Sequence, residues 1–80
     1  MKVRICGRYV ELDEVKKVIG SYSSLADFID DAYSYAFGPT WYNNPQLLEM
    51  AKYELNLLAK ALTYDNISKV ITDFMKLLFG

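Results

Sequence analysis

Few side chains in this sequence could carry chemistry, and the first constraint is what is missing. The eighty residues contain no histidine and one cysteine, Cys6. Histidine acid–base catalysis, Ser/His/Asp and Cys/His nucleophilic sites and Cys/His zinc sites are therefore excluded within one chain. Asp27, Asp30 and Asp31 stand at i, i+3 and i+4, so on a helix their carboxylates share a face. Oxygen ligands suit a divalent ion, but one helix face cannot wrap six of them around it. The expected reading is a capping residue plus a solvated acidic face. Cys6 lies between Arg4 and Arg8, yet a redox role requires a demonstrably electropositive site. A plain small residue is the simpler reading. With no nucleophile–base pair and no metal constellation, the sequence predicts neither an enzyme nor a cofactor.

The remaining chemistry is electrostatic. Net charge is −1, which is no general polyanion-binding signature, but the charges are unevenly spread. Lys2, Arg4, Arg8, Lys16 and Lys17 crowd the first twenty residues, where Glu11, Asp13 and Glu14 are the acids. Residues 21–45 carry only Asp27, Asp30 and Asp31. A nucleic-acid surface, if present, belongs near the N-terminus. A lone cysteine forms no disulfide within the chain, so a cytoplasmic location is expected. Lys2, Arg4 and Arg8 interrupt the only candidate signal sequence. The longest uncharged run, Ala32 to Leu48, contains Gly38, Pro39 and Pro45, so no membrane span is expected.

The elements that must position these groups follow from periodicity. Lys2 to Cys6 alternates, with Val3 and Ile5 on one side and Lys2, Arg4 and Cys6 on the other, as in a strand with one buried face. Tyr9 to Ile19 has the spacing of a short amphipathic helix, with Leu12, Val15, Val18 and Ile19 on its apolar side and Gly20 at its end. Ser24 to Asp27 forms a capping box that opens a second helix through Phe28, Ile29, Ala32 and Ala36. Gly38 to Pro45 is a turn-rich linker holding Trp41 and Tyr42. Asn44 with Pro45 is a favoured helix start. The helix that follows carries two stripes, Leu48, Ala51, Leu55, Leu58, Ala59 and Leu62 on one face and Met50, Tyr53, Leu57, Ala61 and Tyr64 on the other. Asp65 is the expected cap of a last helix bearing Ile67, Val70, Ile71, Phe74, Leu77 and Leu78. The last two helices form an antiparallel hairpin.

Tyr22-Ser23-Ser24-Leu25-Ala26-Asp27-Phe28-Ile29-Asp30-Asp31-Ala32 resembles the second helix of the ribbon-helix-helix DNA-binding family, and Lys2-Val3-Arg4-Ile5 is similar to its ribbon. The resemblance covers Lys2 to Phe37. It departs from the family in a short first helix, an extra Ser21, Gly7 where the first helix usually opens, and acid at Asp30 and Asp31. It implies an obligate homodimer whose strands pair across a two-fold axis, enter the major groove of double-stranded DNA and share a four-helix core. Lys2, Arg4 and Cys6 would face the bases, Arg8 would add phosphate affinity, and Ser23 and Ser24 would hold a phosphate at a helix N-terminus.

The expected fold is therefore mainly α: one domain of residues 1–80, with a ribbon-helix-helix-like half (1–38), a linker (39–45) and a helical hairpin (46–80). Another pairing is open to the strand, namely a hairpin within one chain that joins Lys2–Cys6 to Tyr9–Leu12 through a Gly7-Arg8 turn. The leading functional expectation is a dimeric DNA-binding transcriptional regulator. The alternative is a small helical protein-interaction module, an inhibitor or adaptor that touches no nucleic acid. Trp41 and Tyr42 either anchor a partner or close the core. The stripe of Met50, Tyr53 and Leu57 must meet either Tyr33 and Phe37, a second subunit or a foreign protein.

Overall fold

The computed structural model describes residues 1–80. The chain opens on a two-stranded antiparallel sheet, β1 (Lys2–Ile5) and β2 (Arg8–Glu11), with Lys2 opposite Glu11, Val3 opposite Val10, Arg4 opposite Tyr9 and Ile5 opposite Arg8. An antiparallel two-stranded sheet followed by helices is what the family resemblance implies, but both strands come from one chain. This is the hairpin within one chain that the sequence left open, in place of a single strand followed by a helix from Tyr9. Tyr9 to Glu11 are instead strand, and the first helix, α1, spans Leu12–Ile19. Tyr9 and Leu12 sit at helical spacing, which made the segment read as helix. Pairing with β1 decides otherwise, because β1 alone would leave its backbone groups unmatched.

The connection is a two-residue turn at Cys6-Gly7, one position earlier than a Gly7-Arg8 turn. Both residues have positive φ, 56° at Cys6 and 80° at Gly7. Two successive positive φ values characterise the type I′ hairpin turn, whose twist matches that of the strands. Gly7 adopts this conformation freely, whereas Cys6 does so against the preference of its Cβ.

Helix α2 (Leu25–Phe37) starts where the capping box predicts. The Asp27 amide donates to Ser24 Oγ at 3.2 Å. The Asp27 carboxylate accepts from the Ser24 hydroxyl at 3.1 Å rather than from the Ser24 amide. A 3-10 turn, Trp41–Asn43, leads into α3 (Pro45–Ala61), which Asn44 caps by accepting from the Gln46 amide. Helix α4 (Ile67–Phe79) is capped by Asn66, one residue beyond the expected Asp65.

One core joins all of this. Its fifteen buried apolar residues come from β1, α1, α2, the 3-10 turn, α3 and α4. Ile29, Tyr33, Leu55, Leu58 and Phe74 are its largest fully enclosed members. The C-terminal hairpin is thus part of the same core as the N-terminal half and is no detachable arm. Helix α3 buries Ala51, Leu55, Leu58 and Ala59, the first of its two predicted stripes. Val3 and Ile5, expected in a core shared by two subunits, are buried within their own chain. No helix is long and apolar enough to cross a membrane.

Candidate functional site

The polar centre of the molecule is Glu54, a charged residue on the buried face of α3. It lies between Ala51, Leu55 and Leu58 and is 1% exposed. Glu54 Oε1 accepts from the Cys6 amide at 2.7 Å and from the Tyr33 hydroxyl at 2.5 Å. Oε2 accepts from the Gly7 amide at 2.9 Å. The Arg4 Nε lies 3.3 Å from Oε2 as an ion pair, without the geometry of a hydrogen bond. A buried carboxylate needs such partners, since an unpaired one would be very costly. The carboxylate therefore fixes the turn from below and offsets the unfavourable φ of Cys6.

Burial, followed by the negative charge of Glu54, pushes the Cys6 thiol up to about 11, against a smaller opposing effect of Arg8. A thiol so disposed is almost entirely protonated at neutral pH and is a poor nucleophile. The Tyr33 hydroxyl is held well above its ordinary range, by burial first and then by its hydrogen bond to Glu54.

The acidic residues of α2 have structural work. Asp30 accepts from Trp41 Nε1 at 3.1 Å, and Asp31 from the Tyr22 hydroxyl at 2.5 Å. That bond raises the Tyr22 hydroxyl's pKa. Asp27 is the expected capping residue, and Asp30 and Asp31, expected on a solvated face, have protein partners.

Of the six residues expected to touch DNA, Lys2, Arg4, Cys6 and Arg8 share the hairpin, and Ser23 and Ser24 lie at the start of α2. Lys2 and Arg4 line a groove between β1 and α3. Cys6 and Arg8 border a separate depression beside Asp31, Tyr35 and Phe37. Ser23 and Ser24 border a third, with Tyr64, Asn66 and Lys69. Arg4 is also turned toward Glu54, and Cys6 is half-buried.

The residues expected to bind a partner divide differently. Trp41 is a core residue, 2% exposed, packed between Tyr33 and Phe74, so it anchors no partner. Tyr42 is half-buried and packs edge-on against Trp41 and Phe79. Met50 is half-buried with its sulfur beside Arg4. Tyr53 and Leu57 do not pack on Tyr33 and Phe37. They line the β1–α3 groove with Met1, Tyr9 and Ala61, and Tyr53 is 59% exposed. Lys2, Arg4 and Lys60 supply the groove's charge, and no acid lines it. The groove has a volume of about 450 Å³.

Glu54 and Tyr9 are the residues that sequence reasoning missed. Glu54 left one signal, a lone acid on an otherwise apolar helix face. Tyr9 was placed in a helix or in a hairpin strand, and neither placement marked it as part of a site. No family model, curated protein or solved structure matches the chain.

Proposed function

We propose that this chain is a small protein-interaction module, an adaptor or inhibitor whose contact surface is the groove between β1 and α3. The observation that carries this reading is the groove itself. Tyr9, Tyr53, Leu57 and Met1 are all exposed and line this one groove together. Contiguous exposed apolar surface with a polar rim is the usual mark of a protein-binding site, and tyrosine is enriched in such sites. Arg4, drawn toward Glu54, and Cys6, half-buried at the turn, are less free to meet a nucleic acid than Tyr9 and Tyr53 are to meet a protein.

A complex recovered from the native cell tests it. Full-length protein should run in an assembly larger than itself, insensitive to nuclease and lost in the Tyr53→Ala, Leu57→Ala double variant. A nuclease-sensitive assembly, or one that the double variant retains, would overturn the proposal.

A second reading rests on the antiparallel ribbon, which displays Lys2 and Tyr9 with Arg8 at its turn. A two-stranded ribbon fits the major groove of DNA. In that case the protein would bind a pool of short duplexes at low salt, and Arg8→Ala would weaken the binding while Leu57→Ala left it intact. Affinity would also fall steeply as salt rises.

A further inference from the structure

The register of the hairpin says where the free backbone groups of β1 point. In an antiparallel pair, opposed residues alternate between hydrogen-bonded and non-hydrogen-bonded pairs. The two-residue turn makes Ile5 and Arg8 a bonded pair, and Val3 and Val10 are the next. The Leu12 amide continues the series by donating to the Met1 carbonyl at 2.9 Å. The amides and carbonyls of Lys2 and Arg4 therefore point away from β2, along the edge where β1 borders the groove. A strand edge with unpaired backbone groups is a template for one more strand.

From this edge and its surroundings we infer that the groove takes an extended, acidic segment of a partner protein, added to β1 as a third strand. This rests on the protein-interaction reading and names its partner class. Main-chain bonds to Lys2 and Arg4 would hold the segment, and alternate side chains would reach Tyr53 and Leu57. Charge selects the occupant. Lys2 and Lys60 belong to none of the chain's ion pairs, no acid lines the groove itself, and Glu11, which stands across the strand pair from Lys2, is engaged by the Met1 amino group. A chain of net charge −1 thus keeps its open apolar groove cationic. The same charges disfavour a second copy of this chain. Antiparallel self-pairing centred on Val3 would set Lys2 of each copy opposite Arg4 of the other, and like charges directly opposed destabilise a strand pair.

The test is selection of a display library of short random peptides on the full chain, followed by amide hydrogen exchange of the complexes. Enriched peptides should alternate apolar and acidic residues. They should slow exchange at the Lys2 and Arg4 amides and lose at least tenfold in affinity against the Lys2→Glu, Lys60→Glu double variant. Because Glu11 stands opposite Lys2, the fold is checked with a Lys2→Gln, Lys60→Gln variant, which adds no like charge there and should melt like the parent while losing the same peptides. Peptides that protect other amides, such as those near Tyr35, would remove this groove but leave an interaction module. Enrichment without acid would overturn the charge argument. A selection yielding no peptide would overturn the strand-addition proposal. Slow exchange at Lys2 and Arg4 in the free protein, with a dimeric mass, would make a second copy the occupant and overturn it too.

Discussion

The Cys6 amide donates to the Glu54 carboxylate at 2.7 Å across forty-eight positions of sequence, and the amide of Gly7 donates to the same group. The turn that completes the sheet within one chain is therefore held by a side chain from the middle of α3. Local turn chemistry and tertiary packing meet at this carboxylate, which also takes the Tyr33 hydroxyl.

Removing Glu54 should be severe. Glu54→Ala strands a buried hydroxyl, two amides and the Arg4 guanidinium, and a loss of about 3 kcal/mol is expected. Glu54→Gln keeps one acceptor oxygen and should cost less. Urea denaturation of both variants checks the order. Equal, small losses would mean that the carboxylate does not hold the turn.

Cys6 is the strained partner in that turn. Asn tolerates positive φ, and Asn-Gly is the favoured type I′ pair. Cys6→Asn should therefore stabilise the protein by up to about 1 kcal/mol, and Cys6→Val should destabilise it. Melting temperatures of the two variants should move in opposite directions.

The fold should be sensitive to alkali. Cys6 has its thiol raised from 9.0 to about 11, and Tyr33 is raised from 10.0. Both groups hold their protons more tightly folded than unfolded, so the folded state binds more protons and stability falls as pH rises. The contribution is complete below pH 9 and is lost as pH climbs through about 11. Denaturation midpoints over that range should fall, and Tyr33→Phe should flatten the decline. For the same reason, alkylation of Cys6 in native protein at neutral pH should be much slower than in urea.

Leu57 and Leu55 separate the two faces of α3. Leu57→Asp alters a side chain that is 38% exposed and should change the melting temperature little. Leu55→Asp buries a charge in the core and should cost several kcal/mol, about 3 or more. A large loss at Leu57 would mean that the groove is closed in solution by packing or by another subunit.

Much of the helical fold was legible because local signals agreed. Ser24 with Asp27, and Asn44 with Pro45, mark their helix starts through side-chain caps that need no tertiary information. The stripe of Ala51, Leu55 and Leu58 identified the buried face of α3. The second strand was legible only as one of two readings of the same residues. Arg8 to Glu11 places only Val10 toward the interior, and Tyr9 lies in helical register with Leu12. Only pairing with β1 resolves that ambiguity. The groove was half legible. Tyr53 and Leu57 were read as a face needing a cover, but nothing local indicates that β1 comes to lie beside them. The path from Glu54 to the Cys6-Gly7 turn is wholly tertiary. Trp41 shows the opposite limit, since an aromatic in a turn-rich linker reads equally well as an anchor or as core.

The account's central claim is that the face of Tyr53 and Leu57 receives a protein. Its most direct test is a photo-crosslinking amino acid at position 53 of the full chain, irradiated in the native cell, with position 14, exposed on α1 and outside the groove, as control. The account predicts a discrete protein adduct at position 53 that is absent at position 14 and lost when Lys2 and Lys60 are both changed to Glu. Adducts to nucleic acid, to a second copy of the chain, or to nothing at position 53 would contradict it.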